Sequence, residues 1–349
     1  MISGGINIFQ YIAYLIAAAL YAAGFVEYTN SLFGGNLSPI TLKCITAALI
    51  LICTFINLLG PSLVGKAETF AIGLVVISLL VFSAMGFHQA DFTTFQMGGG
   101  SIEGIAVAAG ILYINFQGFG VVTNSSSAMK SPQKELPLAM FSALILVTVA
   151  YVAVSTAVVL LMPVLLMPLN SIQLHSGHVL AVAAQIVAGK LGFVVISISA
   201  LLACAAAVNA TIFAASNVAA DVAKKSSISS ALGDSVLKNK LRALTISSFG
   251  VIALALMFPL NEVGQMASLA FLLVYAAITY GHIRVSQKTG ANPKILWCAI
   301  AINLTLFTAL MLNTIEHSPS SAIALVIALA GSFLIEGIAR LKSKHSSSL

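Results

Sequence analysis

Apolar runs long enough to cross a lipid bilayer recur along the whole chain. A helix needs about 20 apolar residues to cross the hydrocarbon core. The pattern predicts roughly ten such helices, at 7–29, 40–59, 67–87, 104–125, 137–161, 189–216, 243–260, 266–281, 294–312 and 319–341. Residues 178–188 are also apolar and are predicted to form a short interfacial helix that leads into the sixth span. The pattern therefore predicts an all-α, polytopic membrane protein.

The composition excludes a soluble globular monomer. The 349 residues are 59% hydrophobic and 7% charged, whereas a soluble domain has about 25% charged residues. The mean hydropathy is +1.04. The one long polar stretch, at about 218–242, is predicted to be a connection between spans rather than a second domain.

The basic residues predict an orientation. Of the 16 Lys and Arg residues, all but Lys43 and Lys190 fall on one side of the predicted membrane. Basic residues concentrate in cytoplasmic loops, so the protein is predicted to lie in the cell membrane with both termini in the cytoplasm. The same bias accounts for the net charge of +6, so this charge does not indicate a nucleic-acid partner, and none is predicted. The lipid bilayer is the predicted environment.

The sequence offers no pattern typical of an enzyme. The four cysteines lie inside apolar runs without a C-x-x-C spacing, and the six histidines are scattered. No His-Glu cluster, paired carboxylates or Ser/His/Asp arrangement shares a common depth. We therefore expect no catalytic activity, no metal site and no cofactor.

The fourth span contains glycines, aromatic residues and amides in one short stretch. Phe116, Gln117, Gly118, Phe119 and Gly120 follow one another in an otherwise apolar segment. Unwound backbone at membrane depth is tolerated where it lines a cavity, and broken helices form the substrate sites of secondary transporters. The stretch predicts a helix break at the two glycines, with backbone groups that bind substrate and aromatic rings that close over it.

These residues also have a structural interpretation. Small residues permit close helix packing, and amides form hydrogen bonds to neighbouring helices. Asn209, in the sixth span, is a second candidate for the substrate cavity, and it too could instead bond across helices.

Four sequence motifs, distributed over nearly the whole chain, resemble those of a known family. They are NLLGPSLVGKAET at 57–69, FQGFG at 116–120 followed by KSPQKELP at 130–137, AAAVNATIFAAS at 205–216, and MASLAFLLVY at 266–275. In this order they resemble the amino acid–polyamine–organocation (APC) superfamily of amino acid permeases. Members have about twelve helices, built as two inverted five-helix repeats followed by two more helices.

The resemblance implies a register. The first span corresponds to the family's third helix, so the first two helices are absent and a further polypeptide would have to supply them. Residues 1–103 would be the remnant of the first repeat, 104–284 the second repeat, and 285–349 the two C-terminal helices. Residues 116–120 match the sixth-helix break, which faces the substrate, and Gly120 stands where relatives often have an acidic residue.

Two functions follow from this resemblance. The first is a permease that moves amino acids or related amines across the cytoplasmic membrane by alternating access, incomplete as this chain. The alternative is a membrane protein that transports nothing, either a degenerate paralogue or a scaffold subunit. Substitutions relative to relatives, among them Gly120, Ser126 and Ser127, favour the alternative.

Overall fold

The computed structural model describes residues 2–59, 61–90, 101–118, 122–123, 129–161, 178–225 and 240–346. These residues form ten long helices and no strand: α1 (Ile2–Leu32), α2 (Pro39–Leu59), α3 (Pro61–Gln89), α4 (Ile102–Leu112), α5 (Pro132–Leu161), α6 (Val179–Lys225), α7 (Lys240–Met257), α8 (Leu260–Ile283), α9 (Pro293–His317) and α10 (Pro319–Ser346). One turn of 3-10 helix, Tyr113–Phe116, follows α4, and a single helical turn, Ser286–Thr289, lies between α8 and α9.

The helices have the length and composition of membrane spans. Eight of those in the described part of the chain are long and apolar enough to cross a bilayer, and Ile102–Phe116 and Arg242–Met257 are shorter apolar helices. Large apolar side chains remain on the outside, such as Phe55 at 60% and Phe70 at 76% exposure. Exposed apolar surface on this scale is unusual for a soluble monomer. The prediction of an all-α, multi-pass membrane protein is confirmed.

Packing contacts divide the chain into two compact units. Unit A is drawn from Met1–Leu20, Gly100–Gly118 and Ala210–Leu349, and unit B from Tyr21–Gly99 and Phe119–Asn209. Each unit takes residues from both predicted sequence repeats. The repeat boundaries at 103 and 284 concern internal symmetry rather than packing, and they stay a prediction.

Unit A is built around α8. Its buried residues include Val263, Met266, Ala267, Ser268, Leu269, Ala270, Phe271, Leu272, Val274 and Ala276, which cover more than one helix face, as expected of a helix enclosed by others. The α1 residue Tyr14 packs edge-on against Phe271, with ring centroids 5.4 Å apart. On α10, Glu336 is 1% exposed, and one of its carboxylate oxygens accepts a 2.7 Å bond from Arg340 Nε.

Unit B has a core of small and branched side chains. Phe82 of α3, Ala157 and Leu161 of α5, and Ala184 and Val187 of α6 belong to one buried cluster. A Cβ at Gly86 would lie 3.0 Å from the Cβ of Ala157, so α3 and α5 approach closely at this glycine.

The helix α6 is broken near its start. Ala188 (φ −134°, ψ 18°) and Gly189 (φ 61°, ψ −153°) leave helical geometry, and the conformation of Gly189 is one that essentially only glycine adopts. A short leg, 179–187, therefore precedes the long span. The sequence predicted such a separate helix at 178–188, and its existence is confirmed.

Candidate functional site

The helix α4 carries the predicted break and begins with a well-formed cap. Ser101 is extended (φ −77°, ψ 150°), and its hydroxyl oxygen accepts a 2.9 Å bond from the backbone N–H of Gly104. Serine is a favoured N-cap because it satisfies an N–H that has no partner within the helix. The carboxylate of Glu103 lies in the first turn, where the helix dipole favours negative charge.

The α-helix ends earlier than the sequence predicted. The fourth span was predicted at 104–125 with its break at Gly118 and Gly120, but α-helical geometry stops at Leu112. Residues Tyr113–Phe116 tighten into a 3-10 turn, and the N–H of Gln117 donates to the carbonyl of Ile114 at 3.1 Å. Tightening a helix to this pattern changes which carbonyls its N–H groups reach. The α-helix thus gives way to a 3-10 turn before Gly118, and the break predicted at Gly118 and Gly120 stays a prediction because Gly120 lies outside the described residues.

Two hydroxyl groups of α8 bind the carbonyls at the end of α4. The hydroxyl of Ser268 donates to the carbonyl of Ile111 at 2.7 Å, and the hydroxyl of Tyr275 donates to the carbonyl of Gln117 at 2.9 Å. Ser268 and Tyr275 are seven positions apart, which places them on one face of α8. In lipid each backbone polar group needs a partner inside the protein. The face of α8 supplies two of those partners and holds the irregular turn in place.

Aromatic rings surround the same turn. The ring of Tyr275 lies 6.0 Å from that of Tyr113 and 5.9 Å from that of Phe271. Both arrangements fall within the range at which aromatic pairs attract. The Tyr113 hydroxyl also has a hydrogen-bond interaction with the side chain of Asn303 on α9. The turn is therefore held against α8 and α9 by side chains as well as by backbone bonds.

Gly118 faces open space. No heavy atom of the described residues lies within 4 Å of the position where a Cβ would be, beyond its chain neighbours. Gly110, in α4, is different because a Cβ there would lie 3.0 Å from the Cβ of Leu310 on α9. A side chain at 110 would therefore crowd α9, whereas a side chain at 118 would meet no described atom.

The predicted site residues on this segment lie side by side but in different environments. Phe116 is half-buried, Gln117 is 3% exposed and Gly118 is exposed. Phe119 and Gly120 lie outside the described residues. The substrate-binding role assigned to these five residues stays a prediction.

Asn209 belongs to unit B, where its amide bonds across helices. Its Nδ2 donates to Glu68 Oε1 of α3 at 2.7 Å, and its Oδ1 accepts from Asn57 Nδ2 of α2 at 2.8 Å. Asn57 Nδ2 also lies 3.0 Å from the carbonyl of Cys53 and 3.2 Å from that of Asn209. This arrangement matches the structural interpretation of Asn209, in which an amide ties neighbouring helices together.

The sequence did not predict which residues contact the stretch 116–120 or Asn209. Ser268, Tyr275 and Glu68 were not singled out as contributors to a site. A signal was present for two of them, because Ser268 and Tyr275 are polar groups at helical spacing within the otherwise apolar motif at 266–275. Glu68 had no such signal, since its contact with Asn209 joins positions 141 residues apart.

Comparison with known proteins agrees with this architecture. The sequence model of the family described as amino acid permease matches residues 6–334. The match covers nearly the whole chain, so this protein belongs to the amino acid permease family of the APC superfamily. The resemblance drawn from the four motifs is confirmed.

Several curated proteins are similar over most of the chain. An uncharacterized protein of Methanocaldococcus jannaschii is 27% identical over 89% of this chain and 71% of its own length. The inner membrane transport protein YbaT of Escherichia coli is 23% identical over 96% of this chain and 76% of its own. The cadaverine/lysine antiporter of E. coli is 21% identical over 86% of this chain and 71% of its own.

Proposed function

We propose that this chain is the body of a secondary transporter for amino acids or related amines, which works by alternating access in the cell membrane. Its substrate would bind at the turn 113–118 together with Phe119 and Gly120. The open space in front of Gly118 carries this proposal. A backbone that packing leaves uncovered can bring its carbonyl and N–H groups to a substrate's ammonium or carboxylate.

The contacts from α8 support the same assignment. A substrate site must hold its binding groups in a fixed geometry, and neighbouring side chains provide that rigidity. The bonds from Ser268 and Tyr275 fix the carbonyls on either side of the 3-10 turn. The backbone of Phe116 and Gln117 then belongs to a braced segment rather than a loose loop.

The relatives' names support the substrate class. The cadaverine/lysine antiporter of E. coli acts on an amine and an amino acid, and a relative from Haemophilus influenzae, 26% identical over 42% of this chain, is a putrescine transporter. Charged amines and zwitterions both carry an ammonium group that backbone carbonyls and aromatic faces can bind. We extend this substrate class to the present chain.

The remaining parts of the proposal concern completeness and orientation. Both termini would lie in the cytoplasm, as the distribution of Lys and Arg supports. A further polypeptide with two helices would complete the substrate site. Asn209 is a separate candidate within unit B, where its amide is oriented by Asn57 and Glu68. The alternative is a scaffold subunit that binds no substrate.

Ligand-dependent stability of the chain in lipid nanodiscs tests the proposal. A ligand that binds only the folded state, present at 100 times its Kd, adds about 2.7 kcal/mol to the free energy of unfolding. We expect one group of amino acids or amines to raise the unfolding temperature of the wild-type chain. The variant Gly118→Leu should lose this response because its side chain fills the space in front of the turn.

A matched control is Gly73→Leu on α3. A Cβ at Gly73 also meets nothing within 4 Å, so both variants should fold, and Gly73→Leu should keep the response to ligand. If no amino acid or amine stabilises the wild-type chain, alone or co-expressed with a two-helix segment of a relative, the scaffold function is favoured. A response that survives Gly118→Leu would instead show that the substrate binds elsewhere.

A further inference from the structure

Unit B contains a carboxylate at membrane depth that the proposed substrate turn does not use. Glu68 is half-buried and stands where the apolar span of α3, Glu68–Gln89, begins. It lies seven positions after the first residue of α3, which is about 10 Å at a rise of about 1.5 Å per residue. An ionisable residue in a membrane helix is costly and commonly marks the path of a substrate or an ion. The partners of Glu68 therefore indicate its role.

Two amide side chains hold Glu68 in place. Asn209 Nδ2 of α6 donates to Glu68 Oε1 at 2.7 Å, and Asn209 Oδ1 accepts from Asn57 Nδ2 of α2 at 2.8 Å. We call these three residues the Glu68 cluster. Asn57 lies two positions before the end of α2, so the cluster belongs to the end of unit B where α2 meets α3. The distribution of Lys and Arg predicts that this end faces the cytoplasm.

These hydrogen bonds do not require a negative charge. A carboxylate oxygen and a side-chain amide oxygen both accept a hydrogen bond from an N–H group. A glutamine at position 68 could therefore accept the same bond from Asn209, and it would avoid the cost of placing a charge beside the hydrocarbon. Contact between the three helices accounts for a polar residue at 68. It does not account for a charged one.

No described side chain neutralises the charge of Glu68. Among the Lys, Arg and His side chains that the structure describes, none forms an ion pair with it. Glu336, in unit A, is the contrasting case, because it is 1% exposed and its carboxylate lies 2.7 Å from Arg340 Nε. A charge removed from water is normally paired with an opposite charge. Glu336 has such a partner within the chain, and for Glu68 a bound cation can supply it.

The free acceptors of the cluster match an ammonium group. Glu68 Oε2 and Asn57 Oδ1 accept no hydrogen bond from a described residue, and neither atom is buried. An ammonium group has three N–H donors and no acceptor, so it is complementary to these oxygens. A Mg²⁺ or Ca²⁺ ion would need about six oxygen ligands, and no group of three or more His, Cys, Asp or Glu residues that could hold a metal occurs in the described part of the chain.

We propose that Glu68 is a binding position for the ammonium group of a transported amino acid or amine, with Asn209 and Asn57 as the residues that position its carboxylate. This inference rests on the proposed function for its substrate class, but it concerns unit B and not the turn 113–118 of unit A. An ion pair that stays partly exposed to water is weak. The position is therefore occupied only at amine concentrations above those that saturate the turn, as suits a place where substrate enters or leaves.

Carbodiimide labelling of the full chain in lipid nanodiscs tests the proposal. Dicyclohexylcarbodiimide reacts with accessible carboxyl groups in apolar surroundings, and peptide mass spectrometry quantifies the product at each residue. We expect a high concentration of cadaverine to slow the labelling of Glu68 roughly threefold or more, as a weak ion pair would. Choline and Na⁺ at the same ionic strength should not slow it, because neither has an N–H donor.

Glu262 is the internal control for this labelling. Its carboxylate is also held by neutral donors, the hydroxyls of Ser320 and Ser321, and its labelling should be the same with and without cadaverine. Equal protection of Glu262, or equal protection of Glu68 by choline or Na⁺, would overturn the proposal. So would the absence of any labelling at Glu68, since its carboxylate would then be inaccessible.

A pair of variants separates the charge from the packing. Glu68→Gln keeps an acceptor for Asn209, so the unfolding temperature should stay nearly unchanged, and a large decrease would show that the charge is structural. In chains that also carry Gly118→Leu, saturation-transfer NMR should detect less bound cadaverine for Glu68→Gln than for Glu262→Gln, and equal transfer would overturn the proposal. If cadaverine protects Glu68 but no amino acid or amine stabilises the wild-type chain, the ammonium position stands and the substrate site proposed at the turn fails.

Discussion

The broken helices α4 and α6 use glycine in opposite ways. At the end of α4, the backbone stays in right-handed geometry through a 3-10 turn, and Gly118 faces open space. In α6, Gly189 has a positive φ, and Gly192 leaves no room for a side chain beside Ala184. A side chain at Gly118 would meet no described atom, whereas a side chain would be strained at Gly189 and would overlap the Ala184 carbonyl at Gly192.

Side chains also bind the carbonyls near the two irregular regions, and the donors differ. At α4, hydroxyls from the single helix α8 bind Ile111 and Gln117. At α6, the side-chain amide of Gln89 binds Val187. The hydroxyls of Ser268 and Tyr275 can rotate and can accept a further hydrogen bond. At the second break, the backbone conformation of Gly189 is one that other residues adopt only with strain. A glycine whose side chain is excluded neither by packing nor by φ, such as Gly118, is therefore a better candidate for a functional opening than one that the fold excludes.

The largest expected effect is at Gly192. The variant Gly192→Val should lower the free energy of unfolding by roughly 3 kcal/mol, because its side chain overlaps the Ala184 carbonyl and overpacking of this kind is costly. The measurement is the unfolding temperature in detergent by fluorescence-detected size exclusion. Gly73→Val, at a helical glycine with free space, is the control and should have little effect. Equal losses in both variants would contradict the close approach of the two legs.

The next effect is at Gly189. Gly189→Ala should lower the free energy of unfolding by about 2 kcal/mol, since a residue with a side chain is strained at φ 61°, ψ −153°. Gly118→Ala should leave stability nearly unchanged because its Cβ meets open space. Thermal unfolding of the two variants side by side sharpens the comparison. If Gly118→Ala were the more destabilising of the two, the open space at Gly118 would be contradicted.

The smallest effect is at Tyr275. Tyr275→Phe should lower the free energy of unfolding by about 1 kcal/mol, because the Gln117 carbonyl loses its donor and hydrogen bonds in membranes have modest net values. Substrate-dependent stabilisation should fall as well, since the turn is less firmly held. Tyr280→Phe is the control, because the Tyr280 hydroxyl accepts only a long, exposed 3.4 Å bond from Arg284. A ligand response unchanged in Tyr275→Phe would separate the α8 contact from substrate binding.

Much of the fold followed from local pattern. Ten apolar runs predicted ten helices, and the short leg of α6 was recognised because 178–188 is apolar but too short to span. The helix ends were less accurate. The seventh run was predicted to reach 260, but α7 ends at Met257 because the backbone before Pro259 disfavours helix.

The site was predictable only in part. The cluster of glycine and aromatic residues at 116–120 indicated an interrupted helix, and α4 does lose α-helical geometry just before it. The break predicted at Gly118 and Gly120 stays a prediction, because Gly120 lies outside the described residues. The change to a 3-10 turn at 113 was not predicted, and the bonds from Ser268 and Tyr275 beside it come from residues more than 150 positions away. Asn209 was left between two interpretations, and only its bonds to Asn57 and Glu68 show that it ties helices together.

The sequence by itself determined that this protein is a helical membrane protein of the permease family. Hydrocarbon thickness forces each span to be a continuous apolar run, and such runs are visible without any knowledge of their neighbours. The tertiary structure decided which irregular backbone is open and which is filled, where Glu336 is buried, and which hydroxyls hold the turn at 113–118. These properties depend on contacts between residues far apart in sequence. Apolar helices of similar composition can pack against one another in many arrangements, so the sequence of each helix does not specify these contacts.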